Sequence, residues 1–93
     1  MNVLVVGDKA YERDIVVQVL TELGHSSAEA TDGEEGWQAY QGQDFDIIIS
    51  DFIMPKMNGL ELCRAVRGQP KDHYTYILVA SLFSEKQHIL AGF

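Results

Sequence analysis

The sequence contains one cysteine, two prolines and half as many basic as acidic residues. A single cysteine, Cys63, excludes an internal disulfide and a metal site built from several thiolates. Fourteen acidic residues against seven basic ones give a formal net charge of −7, which repels nucleic acid and anionic membranes and favours cations or basic partner surfaces. We therefore expect no direct nucleic-acid binding.

Long apolar runs are also missing. The longest, from Tyr76 to Ala80, has five residues, whereas a transmembrane helix needs about 18. The N-terminus begins Met1-Asn2-Val3-Leu4, without the basic segment and small-residue cleavage site of a signal peptide. We expect no membrane segment and a cytoplasmic location. The length of 93 residues and the hydrophobic share of 46% predict a single folded domain over residues 1–93.

The hydrophobic pattern changes period several times along the chain. Short apolar or β-branched runs predict strands near 3–6, 26–30, 46–50 and 76–81, the second of which is weak because it is polar. Helical patterns lie between them, at 11–23 and after the N-cap residues Asp32 and Asn58, and a Ser84 and Gln87 capping box predicts a further helix over 88–93. Strands that alternate with helices predict βαβ units and a parallel sheet with helices on both faces.

Oxygen-bearing side chains follow three of these strands. Asp8 follows the first strand, Asp51 the third, and Ser81 ends the fourth. Ligands of such sheets bind at the carboxyl ends of the strands, so neighbouring strands would bring the two carboxylates together around a hard divalent cation. Two acids and a hydroxyl, without a cysteine or histidine cluster, indicate magnesium-assisted phosphoryl chemistry in which one carboxylate can serve as the nucleophile.

These segments resemble those of bacterial response-regulator receiver domains. The resemblance rests on VLVVGD at residues 3–8, IIISDFIMPKMNG at residues 47–59 and YILVAS at residues 76–81. It implies an α/β, flavodoxin-like, doubly wound parallel sheet in the order 2-1-3-4. It also implies that Asp51 accepts a phosphoryl group from the phosphohistidine of a sensor histidine kinase or phosphotransfer protein, and that Ser81 hydrogen-bonds the phosphoryl oxygens. Mg²⁺ would be held by Asp8, Asp51 and the backbone carbonyl of Ile53.

The chain departs from the family pattern in two places. Gly7 stands where the family usually has the first of two adjacent acids, which should weaken cation binding. The chain also ends where the fourth helix is expected, without the fifth strand and fifth helix, so we expect a receiver domain that is truncated at its C-terminal end. The strand at 76–81 would then be an uncovered sheet edge, which invites a homodimer or a domain-swapped dimer.

Other interpretations of the same residues stay open. Asp8 could be the N-cap of the first helix, and Ser81 could bond local backbone. Three functions are compatible with the sequence. The first is a phosphoacceptor switch that catalyses at most its own phosphotransfer and dephosphorylation, and the second is a receiver-like interaction module that works without phosphate. The third, a magnesium-dependent phosphatase, is disfavoured because Ile53 stands where a second Asp would be expected.

Overall fold

The computed structural model describes residues 1–54, 56–69 and 71–80 in full, and the backbone of residues 89–92. Its elements in chain order are β1 (Asn2–Val6), α1 (Ala10–Glu22), β2 (Ser26–Ala30), α2 (Gly33–Gly42), β3 (Ile47–Asp51), α3 (Gly59–Gly68), β4 (Tyr76–Ala80) and β5 (Ile89–Gly92). In the described part of the chain, none of the helices has the length and apolarity that crossing a bilayer requires.

The first four strands form a parallel sheet in the order β2-β1-β3-β4. Val6, at the end of β1, is in register with Ala30 of β2 and with Ser50 of β3. This confirms the predicted fold class and strand order, including the weak strand at 26–30. The strand β2 can be polar because it lies at an edge of the sheet, where its side chains can remain in contact with water.

A fifth strand corrects the expectations for the end of the chain. β5 pairs antiparallel with β4, so the edge predicted to be uncovered is occupied by backbone of the same chain. Residues 89–92, predicted as part of a helix, are extended instead. The physical reason is that a sheet edge presents a row of unpaired N–H and C=O groups, and pairing satisfies more of them than a short helix would.

The core lies on both faces of the sheet. Successive residues of a strand point to opposite faces, and β1 divides accordingly. Leu4 and Val6 pack with buried residues of β3, β4, α2 and α3, whereas Val3 and Val5 pack with Leu20 of α1. Trp37 and Tyr40 stack on each other at 5.7 Å between ring centroids. Tyr40 belongs to the first of these clusters, and Trp37 and Cys63 pack against it.

Helix α1 buries only part of its apolar stripe, in which Val16 and Leu20 widen a row of apolar residues at every fourth position. Its apolar residues at every fourth position, Tyr11, Ile15, Val19 and Leu23, are all exposed, by 48% to 66%. The residues that face the sheet are Leu20, Val16 and Val17. The apolar period predicts the helix and includes Val16 and Leu20 in its apolar stripe, but only the packing on β1 selects which part of that stripe is buried.

The helix starts at α2 and α3 follow the predicted caps. The Asp32 carboxylate accepts a hydrogen bond from the backbone N–H of Glu35 at 2.8 Å. Asn58 and Glu61 form a reciprocal capping box. Each cap satisfies a backbone N–H group that a helix leaves without an internal partner, and so sets where α2 and α3 begin beside the strand ends.

Candidate functional site

Two carboxylates lie at the carboxyl ends of adjacent strands. Asp51 is the last residue of β3, in register with Ala80 of β4, and Asp8 follows the end of β1 by two residues. Because β1 and β3 are parallel neighbours, both side chains belong to the same rim of the sheet. The structure therefore brings together the two acids that the sequence pattern paired.

Asp51 is half-buried, and its carboxylate is oriented by the main chain that follows it. Its Oδ1 accepts a hydrogen bond from the backbone N–H of Phe52 at 2.8 Å. Burial raises the pKa of Asp51 above its ordinary value, and the negative charge of Asp8 raises it further. The N–H groups of Phe52 and Ile53 and the ammonium of Lys9 oppose this rise. A partly desolvated carboxylate on a rigid strand end is suited to meet a cation or an electrophile.

Asp8 does not serve as the cap of α1. The N-cap residue is Lys9, and its side chain makes no capping hydrogen bond. The Asp8 carboxylate lies 3.9 Å from the Lys9 ammonium and remains partly exposed to solvent. The alternative reading of Asp8 as a helix cap is therefore wrong, and its oxygens are accessible at the rim.

A small cleft lies beside Asp51, between β1, α1 and β3. Its volume is about 20 Å³, and its walls combine polar with apolar residues, namely Val5, Val6, Gly7, Glu12, Arg13, Val16, Ile49, Ser50, Asp51 and Ala80. The Arg13 guanidinium donates one hydrogen bond to the Gly7 carbonyl at 2.6 Å and another to Glu29 at 3.1 Å. A volume of this size accommodates about one water molecule.

The oxygen donors of this rim suit a hard divalent cation. Two carboxylates with access to solvent match Mg²⁺, which is commonly bound through one or two carboxylates and keeps several waters. Within residues 1–54, 56–69 and 71–80, no three His, Cys, Asp or Glu side chains are grouped closely enough to hold a metal ion directly. A cation here would therefore depend on Asp8, Asp51, backbone oxygen and water.

The other two predicted site residues differ in what the structure describes. Ile53 lies in the loop after β3 with its side chain 73% exposed, and the contact of its carbonyl with a cation stays a prediction. Ser81 lies outside the described residues.

Two cleft residues, Glu12 and Arg13, were missed by the sequence analysis. Their place in the first turn of α1, just after a strand end, is the signal that could have found them.

The fold and rim together define a class of protein. A parallel sheet in the order 2-1-3-4, with helices on both faces and two acids where β1 and β3 end, is a flavodoxin-like α/β domain whose site lies at the topological switch point. A family model described as the response regulator receiver domain matches residues 3–93. The chain belongs to this family.

Relatives and solved structures agree with this assignment. The chain is 36% identical over 94 residues to a chemotaxis protein CheY homolog of Campylobacter jejuni, a match that covers 99% of this chain and 72% of the relative. A structure of Vibrio cholerae chemotaxis protein CheY4 has a TM-score of 0.78 and 40% identity, covering 84% of this chain and 65% of that one. The response regulator TrrA of Thermotoga maritima, solved in complex with Mg²⁺ and BeF, has a TM-score of 0.75 and 31% identity over 84% of this chain and 68% of that one. This chain thus spans roughly two thirds to three quarters of the length of these relatives.

Proposed function

We propose that this receiver domain is a phosphoacceptor switch, with Asp51 as the residue that takes the phosphoryl group. The observation that carries the proposal is the placement of Asp51: half-buried at the end of β3, oriented by the Phe52 N–H and next to Asp8 on the same rim. The donor would be the phosphohistidine of a sensor histidine kinase or of a phosphotransfer protein, which would place the chain in the cytoplasm.

The transfer uses the carboxylate as a nucleophile. An oxygen of Asp51 forms a bond to phosphorus while the donor's N–P bond breaks, and the bonding electron pair returns to the imidazole. A carboxylate is a weak nucleophile, so the rate depends on in-line positioning and on neutralising the charge of the transferring group. Mg²⁺ supplies that neutralisation when bound, and Asp8, Asp51 and the Ile53 carbonyl are the groups proposed to hold it. Ser81 is proposed to hydrogen-bond the phosphoryl oxygens.

This function is a switch and not a turnover reaction. Phosphorylation adds charge and three hydrogen-bond acceptors at the rim, which can shift an existing equilibrium between two surface shapes. We propose that the chain catalyses at most its own phosphorylation and dephosphorylation. A phosphatase with an aspartyl nucleophile would need an acid/base two residues after Asp51, where the exposed apolar Ile53 stands.

The test uses a small phosphodonor. The protein is incubated with Mg²⁺ and acetyl phosphate, and its intact mass is recorded. One phosphoryl adduct is expected on the wild-type protein, none on Asp51→Asn and a reduced amount on Asp8→Asn. Asp72→Asn removes an exposed carboxylate from the loop before β4, at the opposite end of that strand, and should behave as wild type. An adduct that persists in Asp51→Asn would refute the role of that residue.

A second function is favoured by one observation, the absence of a carboxylate at Gly7. A receiver-like interaction module that works without phosphate would tolerate this loss. It predicts that binding to the kinase or phosphotransfer partner is unchanged by Asp51→Asn and by removal of Mg²⁺, and that acetyl phosphate leaves no adduct.

A further inference from the structure

Gly7 leaves an unfilled position beside Asp51. The main chain of Gly7 is held on both sides, by its N–H to Ala30 at 3.0 Å and by its carbonyl to Arg13. A Cβ atom at this position would meet only Arg13 Cγ and Asp51 Cβ, each at 3.8 Å, which is ordinary van der Waals contact. The site therefore has room for a side chain at Gly7, where β1 ends without a carboxylate, and Asp8 and Asp51 are the carboxylates that follow β1 and end β3.

Glu12 brings a second carboxylate, after that of Asp51, to the cleft beside Gly7, and it comes from a different element. It lies in the first turn of α1, is half-buried, and lines the cleft together with Gly7 and Asp51. Burial raises the pKa of Glu12, and the negative charges of Asp51 and Asp8 raise it as well, so the three acids are within electrostatic reach of one another. The positive charge of Lys9 acts in the opposite direction and lowers the pKa of Glu12.

The geometry indicates how Glu12 can act. The described acids do not form a group of three that could ligate one ion directly, so a direct bond from Glu12 to a cation shared by Asp8 and Asp51 is not what the structure offers. The cleft has room for about one water. Mg²⁺ retains several waters, and a carboxylate nearby can accept a hydrogen bond from one of them. Arg13 also lines the cleft, but its guanidinium can only donate hydrogen bonds and is already paired with Glu29. It therefore cannot accept a hydrogen bond from a water.

We propose that Glu12 is an outer-sphere acid of the cation site, accepting a hydrogen bond from a water on the cation and so supplying the carboxylate that is absent at Gly7. The inference rests on the proposed magnesium-dependent function and adds a residue to it. Glu12 is a positioning residue in this scheme: it orients the water and adds negative charge, and it touches neither the cation nor the phosphoryl group.

The experiment measures Mg²⁺ affinity by isothermal titration calorimetry on the unphosphorylated chain. Losing an outer-sphere partner of a metal site typically costs at least about tenfold in affinity, and we expect about tenfold weaker binding for Glu12→Gln. Asp14→Asn removes an exposed carboxylate from the same helix and controls for net charge. The double variant Gly7→Asp with Glu12→Gln should recover most of the lost affinity, because the new carboxylate occupies the open position. Circular dichroism verifies that each variant is folded.

The outcomes separate this inference from the proposed function. If the wild type binds Mg²⁺ and acquires a phosphoryl adduct, but Glu12→Gln binds Mg²⁺ as tightly as wild type, the role of Glu12 is refuted and the receiver function stands. Equal losses in Glu12→Gln and Asp14→Asn, or no recovery with Gly7→Asp, would also refute it, since a general charge effect would then suffice. A wild-type chain that binds no Mg²⁺ and gains no adduct overturns both.

Discussion

Gly33, in the first turn of α2, packs directly against the main chain of Met57 in the loop that follows β3. A Cβ atom on Gly33 would collide with the Met57 carbonyl. The Lys56 ammonium lies 3.8 Å from the carboxylate of Asp32, the N-cap of the same helix, and so joins the two segments a second time. The start of α2 is thereby tied to the loop that follows Asp51.

A glycine-to-alanine series along α2 tests this contact. Gly33→Ala should destabilise the domain by about 2–3 kcal/mol, because backbone must move to admit the methyl group. Gly36→Ala should cost less, since the methyl group would lie 3.0 Å from a side-chain methyl of Val6. Gly42→Ala is the matched control: nothing lies within 4 Å of its Cβ position, and it should be neutral or stabilising by up to about 1 kcal/mol. Urea unfolding of the three variants gives the order, and equal stability of Gly33→Ala and Gly42→Ala would contradict the close packing.

The raised pKa of Asp51 predicts a stability gain on removing its charge. Since the pKa of this carboxyl is higher in the folded than in the unfolded state, its ionisation favours unfolding above its ordinary pKa of 3.8. Without metal, Asp51→Asn should therefore have a higher Tm than wild type at pH 7, with a free energy of unfolding that is larger by less than about 1 kcal/mol after allowance for solvent screening. The difference should vanish below pH 3.8, where both states of the wild type are protonated. Thermal unfolding in chelator from pH 7 to pH 3 measures it, and a gain that is independent of pH would have another cause.

Asp46 has the opposite pH behaviour at the other end of the sheet. Its carboxylate accepts a hydrogen bond from the backbone N–H of Asn2 at 2.8 Å and lies 2.9 Å from the His73 ring. The Asn2 N–H is the main reason that the pKa of Asp46 lies below its ordinary value, with His73 adding to the effect. A lowered folded pKa gives stability that is present above the unfolded value of 3.8 and is lost as the pH falls through the folded pKa.

Asp46→Asn should accordingly lower the Tm at pH 7. The amide keeps an acceptor for the Asn2 N–H but loses the charge. The gap to wild type should close as the pH falls below 3.8, and Asp72→Asn, which alters an exposed carboxylate, should have the Tm of wild type at pH 7. A gap that stays constant down to pH 3 would show that the loss is one of packing and not of charge.

Lys71 holds the C-terminal end of α2. Its ammonium donates hydrogen bonds to the carbonyls of Tyr40 and Gln43 and lies 3.9 Å from the centroid of the Tyr40 ring. The last carbonyls of a helix lack internal partners, so a cation here satisfies them and complements the helix dipole.

Lys71→Met should cost about 1–2 kcal/mol, because the aliphatic stem is retained while the hydrogen bonds to two carbonyls are lost. Arg64→Met removes an exposed positive charge from α3 and should change stability by less than about 0.5 kcal/mol. Chemical denaturation of both variants measures the change in the free energy of unfolding. A Lys71→Met protein as stable as wild type would refute the capping role.

The site was predictable from sequence to the extent that it depends on strand ends. Asp8 and Asp51 each follow an apolar run, and a parallel sheet places the ends of such runs on one rim. Glu12 was not predictable in this way, because its approach to Asp51 depends on the angle at which α1 leaves β1. Ser50 and Thr75 show the same limit: both are polar, yet they are 1% and 2% exposed, respectively. Thr75 is satisfied by a hydrogen bond to the Phe45 carbonyl at 2.6 Å, a partner that local sequence does not indicate.

Local sequence determined which segments form β1 to β4 and α1 to α3, where α2 and α3 begin, and which acids stand at strand ends, because these depend on local periodicity and on capping side chains a few residues away. It did not determine residues 89–92, where a helix was predicted and a strand paired with β4 is found. Tertiary structure decided which side of α1 is buried, what pairs with β4, and which carboxylate from outside the strands joins Asp51. Those outcomes depend on contacts between segments far apart in the chain, where several arrangements satisfy the same local pattern and only packing and backbone hydrogen bonding choose among them.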